Sequence, residues 1–135
     1  MKTVISTFAA AIVLFFLSFA FYSAIGAASK MQSYYLLFRA EDDFKLWAMI
    51  AGCLLQGLFL TVVYAYYYKG EKPFQEGFIY GLLMAFLMAL PVVFFMWGAY
   101  KVQYKGAIAD GIGMGFRILV TCIVIGLIMG KKENK

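Results

Sequence analysis

Four long runs of apolar residues, separated by short polar segments, constrain this chain more than any other feature of its sequence. Each run holds roughly 23 to 25 residues, and a helix of about 20 residues crosses the ~30 Å hydrocarbon core of a bilayer. Only 14% of the residues are charged, whereas soluble domains contain about 25%. We therefore predict a single integral-membrane domain over residues 1–135, folded as an all-α, membrane-spanning four-helix bundle with antiparallel up-down topology. The spans are expected at about residues 4–28, 44–68, 77–100 and 107–129.

The composition argues against several kinds of functional site. The chain has no histidine, which is the commonest metal ligand and general base. Its two cysteines, Cys53 and Cys122, lie inside apolar runs, where thiols usually serve as small packing residues. The net charge of +5 comes from basic residues in the gaps between runs, not from one patch that could bind nucleic acid. We expect no metal, no cofactor and no nucleic-acid partner.

The first run and the segment after it allow more than one interpretation. Lys2, an apolar stretch and the small residues from Gly26 to Ser29 imitate a cleaved secretory signal, but the run exceeds the 7–15 residues typical of one. A first spanning helix is the favoured interpretation. In the polar segment 29–45, the aromatic residues suit the membrane interface, and Asp42 or Asp43 could cap the next helix.

The fourth run carries two different helical faces. At about 100° per residue, Asp110, Arg117 and Thr121 share a polar face. A second face, about a third of a turn away, contains small residues that permit close helix packing. Its members are Gly111, Gly115, Cys122 and Gly126. We expect the two faces to contact different neighbours.

Arg117 is the main candidate functional residue, since a lone arginine at the centre of a span costs about 3 kcal/mol on insertion scales. Its side chain could extend towards the interface, with Asp110 and a few waters as partners, or it could pair with Gln56 of the second span. It could also line a polar cavity that binds an anion, a lipid headgroup or a carboxylate. A salt bridge to another subunit is a further alternative.

The two middle runs contain packing signals and one helix-bending signal. Ala48, Gly52 and Gln56 share a face that is typical of a helix–helix contact with an interhelical amide hydrogen bond. Gly77 and Gly81 permit a close crossing in the third span. Pro91 removes a backbone donor, so it predicts a kink that could serve gating or only fit curvature.

The basic residues favour cytoplasmic termini, because short cytoplasmic loops carry an excess of lysine and arginine. In a four-span protein both termini and the middle loop share one side, which has one basic residue more than the other. That side contains Lys2, Lys69, Lys72, Lys131, Lys132 and Lys135, and the other contains Lys30, Arg39, Lys45, Lys101 and Lys105. This predicts a multi-pass protein of the inner (plasma) membrane.

The segments EGFIYGLLMAFLMALP (76–91) and 109–132 resemble those of small bacterial integral-membrane proteins of unassigned function. The shared features are total length, four spans, a glycine-tyrosine-glycine entry to the third helix and a glycine-rich fourth helix before basic residues. The resemblance covers about the C-terminal half. It implies a fold and no activity, so no site residue follows from it.

No combination of residues in the sequence predicts catalysis. There is no Ser-His or Cys-His pair, no phosphate-binding glycine loop after a strand, and no carboxylate pair at a general acid–base spacing. We expect a non-catalytic accessory or scaffold subunit of a membrane assembly, either a homo-oligomer or part of a larger complex. The alternative is a small oligomeric channel or transporter for an ion or amphiphile, using Arg117, Asp110, Gln56, Thr121 and the Pro91 kink.

Overall fold

The computed structural model describes residues 1–28, 46–99 and 104–130, and within these ranges it is a bundle of four helices with no strand. Each helix is long and apolar enough to cross a membrane. The four-helix, all-α prediction is therefore confirmed, and the chain is a polytopic membrane protein. The helices are α1 (Lys2–Ala28), α2 (Leu46–Tyr67), α3 (Pro73–Ala99) and α4 (Tyr104–Met129).

The helix bounds agree with the predicted spans to within four residues, and the largest difference is at the start of α3. We expected this helix to begin at Gly77, but it begins at Pro73. Proline favours the first helical position, where its missing N–H costs no hydrogen bond. The carboxylate of Glu76 also accepts bonds from the backbone N–H groups of Lys69, Gly70, Glu71 and Lys72, at 2.9–3.2 Å. These bonds hold the turn at residues 69–72 in place against the Glu76 side chain.

The order of the helices in space differs from their order in the chain. The packing order is α2, α1, α4, α3, because α1 contacts both α2 and α4, whereas α3 packs mainly on α4. In the most apolar 18-residue stretch of α4, 44% of the residues are buried, whereas the corresponding share is 17–22% in the other three helices. The fourth span is therefore the central helix of the bundle.

Contacts along α4 show which ends of the helices lie together. The Lys2 ammonium of α1 donates to the carbonyl of Met129 at 3.4 Å, while the Tyr22 hydroxyl donates to Asp110 at 3.3 Å. The beginning of α1 thus lies beside the end of α4, and the end of α1 lies beside the beginning of α4, so these two helices are antiparallel. The up-down order proposed for the whole bundle stays a prediction.

The end of α4 is capped by Lys2 of α1 and by Tyr68, the residue that follows α2. Gly130 has a φ of 66° and its N–H bonds to the carbonyl of Gly126 at 3.1 Å, which is the left-handed helix end that glycine favours. Tyr68 donates to the carbonyls of Met129 and Gly130, in addition to the bond from Lys2. A cation and a hydroxyl thus satisfy carbonyls that a helix end leaves without intrahelical partners.

The α2 and α3 helices make few contacts with each other, and a tyrosine cluster joins the halves of these helices that are nearer to the turn. There Tyr80 donates to the Leu60 carbonyl at 2.9 Å, and its ring stacks on Tyr67 and meets Tyr64 edge-on. Tyr64 and Tyr80 are almost fully buried. These two tyrosines therefore serve interior packing, whereas Tyr66, 90% exposed, suits an anchor at the membrane interface.

Exposed tryptophans lie near two helix ends, and two of the predicted features lie outside the described ranges. Trp47 near the start of α2 and Trp97 near the end of α3 are 71% and 60% exposed, as side chains of an aromatic belt would be. The predicted cap at Asp42 or Asp43 and the interfacial aromatic segment lie outside the described ranges. Pro91 lies on an exposed part of α3, which continues through it as one helix.

Candidate functional site

Arg117 lies between α4 and α1, where its guanidinium is enclosed by polar and aromatic groups. Its Nε donates to the carbonyl of Gly113 at 3.1 Å, and one terminal nitrogen donates to the Ser18 hydroxyl at 3.0 Å. The guanidinium carbon lies 5.1 Å from the ring centre of Phe21 and 5.2 Å from that of Tyr22. Only 9% of the residue is exposed. We call Arg117, Ser18, Phe21, Tyr22 and Asp110 the arginine site.

The direction of the Arg117 side chain follows from helix geometry. Side chains on a helix point towards its N-terminus, and the bond to the carbonyl four residues earlier holds the guanidinium there. Asp110 is about 10 Å away along the helix axis. Tyr22 bridges the two side chains, because its ring contacts the Arg117 guanidinium and its hydroxyl donates to the Asp110 carboxylate. Of the predicted alternatives, this geometry is nearest to extension of the side chain towards Asp110.

The local sequence of α4 makes room for this arrangement. A Cβ at Gly113 would collide with the ring of Phe21, so the absence of a side chain lets this ring lie against α4. Thr121, fully buried one turn after Arg117, donates to the Arg117 carbonyl at 2.7 Å. Asp110, Arg117 and Thr121 thus lie on one polar face, although the hydrogen bond of Thr121 is within its own helix.

The contacts explain how a bilayer-spanning helix can hold an arginine. A hydrogen bond to a charged group contributes about 1.5–3 kcal/mol, and a desolvated cation–π contact contributes about 2 kcal/mol. These contacts offset the insertion cost of about 3 kcal/mol, and the Ser18 bond and both ring contacts join α1 to α4. The arginine site therefore stabilises the contact between α1 and α4.

Gln56, the α2 residue predicted as a possible partner of Arg117, is not part of the arginine site. It is half-buried on α2, and no hydrogen bond joins it to Arg117 or to any other described residue. Ala48 and Gly52 on the same face are exposed, and a Cβ at Gly52 would meet nothing within 4 Å. The expected helix contact on this face is thus not made within the described chain.

The second face of α4 packs against α3, separately from the arginine site. A Cβ at Gly77 would lie 2.8 Å from the Cys122 carbonyl oxygen, and one at Gly126 would lie 3.0 Å from Gly77 Cα. Near the other end, Gly115 faces Ala85 and Ala89. The polar face and the small-residue face of α4 therefore contact α1 and α3 respectively, which agrees with the expectation of different neighbours.

Sequence reasoning missed Ser18, Phe21 and Tyr22, the three α1 residues of the arginine site. Ser18 and Tyr22 are four residues apart and thus share a helical face, which was a signal available in the sequence. It was weak because serine and tyrosine are both common in membrane helices. Only the pairing of α1 with α4 shows that this face meets Arg117.

The layer beside the arginine site is apolar. Leu14, Ile118, Cys122 and Ile125 are each at most 2% exposed and belong to the main core cluster. The two described grooves on the bundle are lined by other residues and do not include Arg117. Among the described residues, no group of three or more histidine, cysteine or acidic side chains could hold a metal ion.

Comparison with known proteins adds no family or relative to these observations. No family model, no curated protein and no solved structure matches the chain. The function must therefore be argued from the geometry alone.

Proposed function

We propose that this protein is a non-catalytic accessory or scaffold subunit of an inner-membrane assembly, with both termini in the cytoplasm. The observation that carries this proposal is the unoccupied face of α2. An amide at membrane depth needs a hydrogen-bond partner, and small residues beside it let another helix approach closely. Ala48, Gly52 and Gln56 supply both features, and no described helix of the chain covers them.

The arginine site supports a structural role over a transport role. The hydrogen bonds and ring contacts of Arg117 are made to α1 and to its own helix. The neighbouring core residues Leu14, Ile118, Cys122 and Ile125 are almost fully buried and closely packed. A channel through the single chain would have to cross this layer, so the channel alternative is ranked second.

The proposal is tested by the size of the protein in mild detergent. We expect the wild type to purify as a discrete homo-oligomer or hetero-complex, and Gly52→Leu or Gln56→Leu to release the single chain. Ala65→Leu is the matched control, because Ala65 is exposed on the opposite side of α2. A wild type that is a single chain without partners would contradict the proposal.

Replacement of Arg117 by leucine separates the two candidate functions. For a subunit, we expect loss of folding or assembly, since the contact between α1 and α4 is weakened. For a channel or transporter, assembly would stay intact while solute flux into reconstituted vesicles is lost. The second result would favour the alternative function.

A further inference from the structure

The larger of the two described grooves lies between α3 and α4, away from the arginine site and from the open face of α2. Its volume is about 410 Å³ and its lining is almost entirely apolar. Ala85 and Ala89 of α3 and Gly115 of α4 form its floor, and larger side chains such as Phe86 and Phe116 form its walls. The small floor residues give the groove its depth.

The groove has the length of one lipid leaflet. Along α4 its lining extends from Ile108 to Leu119, a rise of about 17 Å. One leaflet contributes about 15 Å, half of the hydrocarbon core. An acyl chain that enters from the membrane interface would therefore be covered along its whole length.

The end of the groove nearest the interface carries a positive charge and aromatic rings. Lys105 lies seven residues before Ile112, which lines the groove, so the two share a helical face. Trp97 lies seven residues after Leu90, another lining residue, and 60% of it is exposed. Lys105 is exposed, and no ion pair joins it to the described residues. A phosphate at the interface would be attracted to this ammonium group.

We propose that the groove between α3 and α4 is a binding site for an anionic phospholipid of the bilayer. One acyl chain lies over Ala85, Ala89 and Gly115, and the phosphate lies beside Lys105 near the ring of Trp97. The apolar lining, the match to one leaflet and the cation at the interfacial end all favour this occupant. A protein helix in the same groove would gain nothing from Lys105 unless it carried an acidic residue there.

The experiment measures binding of phosphatidylglycerol to delipidated protein by native mass spectrometry. We expect Gly115→Leu to weaken binding at least tenfold, since its side chain fills the groove. A Cβ at this position meets only Ala85 and Ala89, at the ordinary contact distances of 3.7 and 3.8 Å. Lys105→Gln, at an exposed position, should weaken binding about fivefold, as one lost lysine near anionic headgroups implies.

Two control variants and a second lipid make the outcome decisive. Ala65→Leu and Lys69→Gln, which lie on α2 and on the turn before α3, should leave binding unchanged. Phosphatidylcholine, which has no net charge, should bind the wild type more weakly than phosphatidylglycerol does. The Lys105→Gln variant should bind the two lipids equally well. Unchanged phosphatidylglycerol binding in both Gly115→Leu and Lys105→Gln would overturn the proposal. Loss of a dimer in Gly115→Leu, with lipid binding unchanged, would instead assign the groove to a second copy.

Discussion

The close crossing of α3 and α4 makes a strong prediction for a single added methyl group. In Gly77→Ala the new Cβ would lie 2.8 Å from the Cys122 carbonyl oxygen and 3.2 Å from the Cα of Ile123. An ordinary C···O contact is about 3.3–3.6 Å long. Both neighbours are backbone atoms of a helix and cannot rotate away. The two helices would therefore have to separate by about half an ångström or more.

The cost of this separation can be set against the gain in helix propensity. Overpacking of a well-packed contact costs about 1–3 kcal/mol, and alanine in a helix interior gains about 0.5–1 kcal/mol over glycine. The separation would also loosen the contacts at Gly81 and Gly126 along the same crossing, where a Cβ would be equally crowded. We expect Gly77→Ala to lower the free energy of unfolding by about 1–2 kcal/mol.

Gly98→Ala is the matched control, because it lies on the same helix and its Cβ would meet nothing within 4 Å. This variant should gain a few tenths of a kcal/mol or stay unchanged, as the residue is near the helix end. The assay is unfolding by SDS titration in mild-detergent micelles, followed by the fluorescence of Trp47 and Trp97. Equal stability of Gly77→Ala and Gly98→Ala would refute the close crossing.

Two further predictions concern hydrogen bonds, first those of two buried threonines and then those of the Glu76 carboxylate. Thr61 and Thr121 are both fully buried, but the Thr61 hydroxyl has no hydrogen-bond partner among the described residues, whereas Thr121 donates to the Arg117 carbonyl. In the same titration, Thr61→Val should raise the stability by about 1 kcal/mol or more, and Thr121→Val should lower it by about 1 kcal/mol; a change of the same sign in both would contradict this account. Glu76→Gln should make the amides of residues 69–72 exchange with solvent about tenfold faster, because hydrogen bonds to a charged acceptor are stronger by 1–2 kcal/mol. Unchanged exchange by mass spectrometry or NMR would show that Glu76 does not hold the turn.

The candidate site shows which residues could be predicted from the sequence and which could not. The position of Arg117 in the middle of an apolar run made it a candidate, and the spacing of Asp110 and Thr121 placed them on its face. The partners Ser18, Phe21 and Tyr22 lie about a hundred residues earlier, and no local pattern joins two helices over that distance. The expected pairing with Gln56 was not found because α2 packs on α1 and makes few contacts with α4.

The fold class was determined by the sequence, because in a bilayer each span must satisfy its own backbone hydrogen bonds, so that long apolar runs can only become helices. Length and hydropathy placed the helices to within four residues, although the start of α3 at Pro73 was not predicted. The tertiary structure alone decided the order of packing, with α4 at the centre, α3 on its glycine face and α1 on its arginine face. The reason is physical: nearly every face of these helices is apolar, so hydrophobicity cannot select neighbours. That selection depends on the shape of small residues and on a few polar groups, which act only when two helices are already in contact.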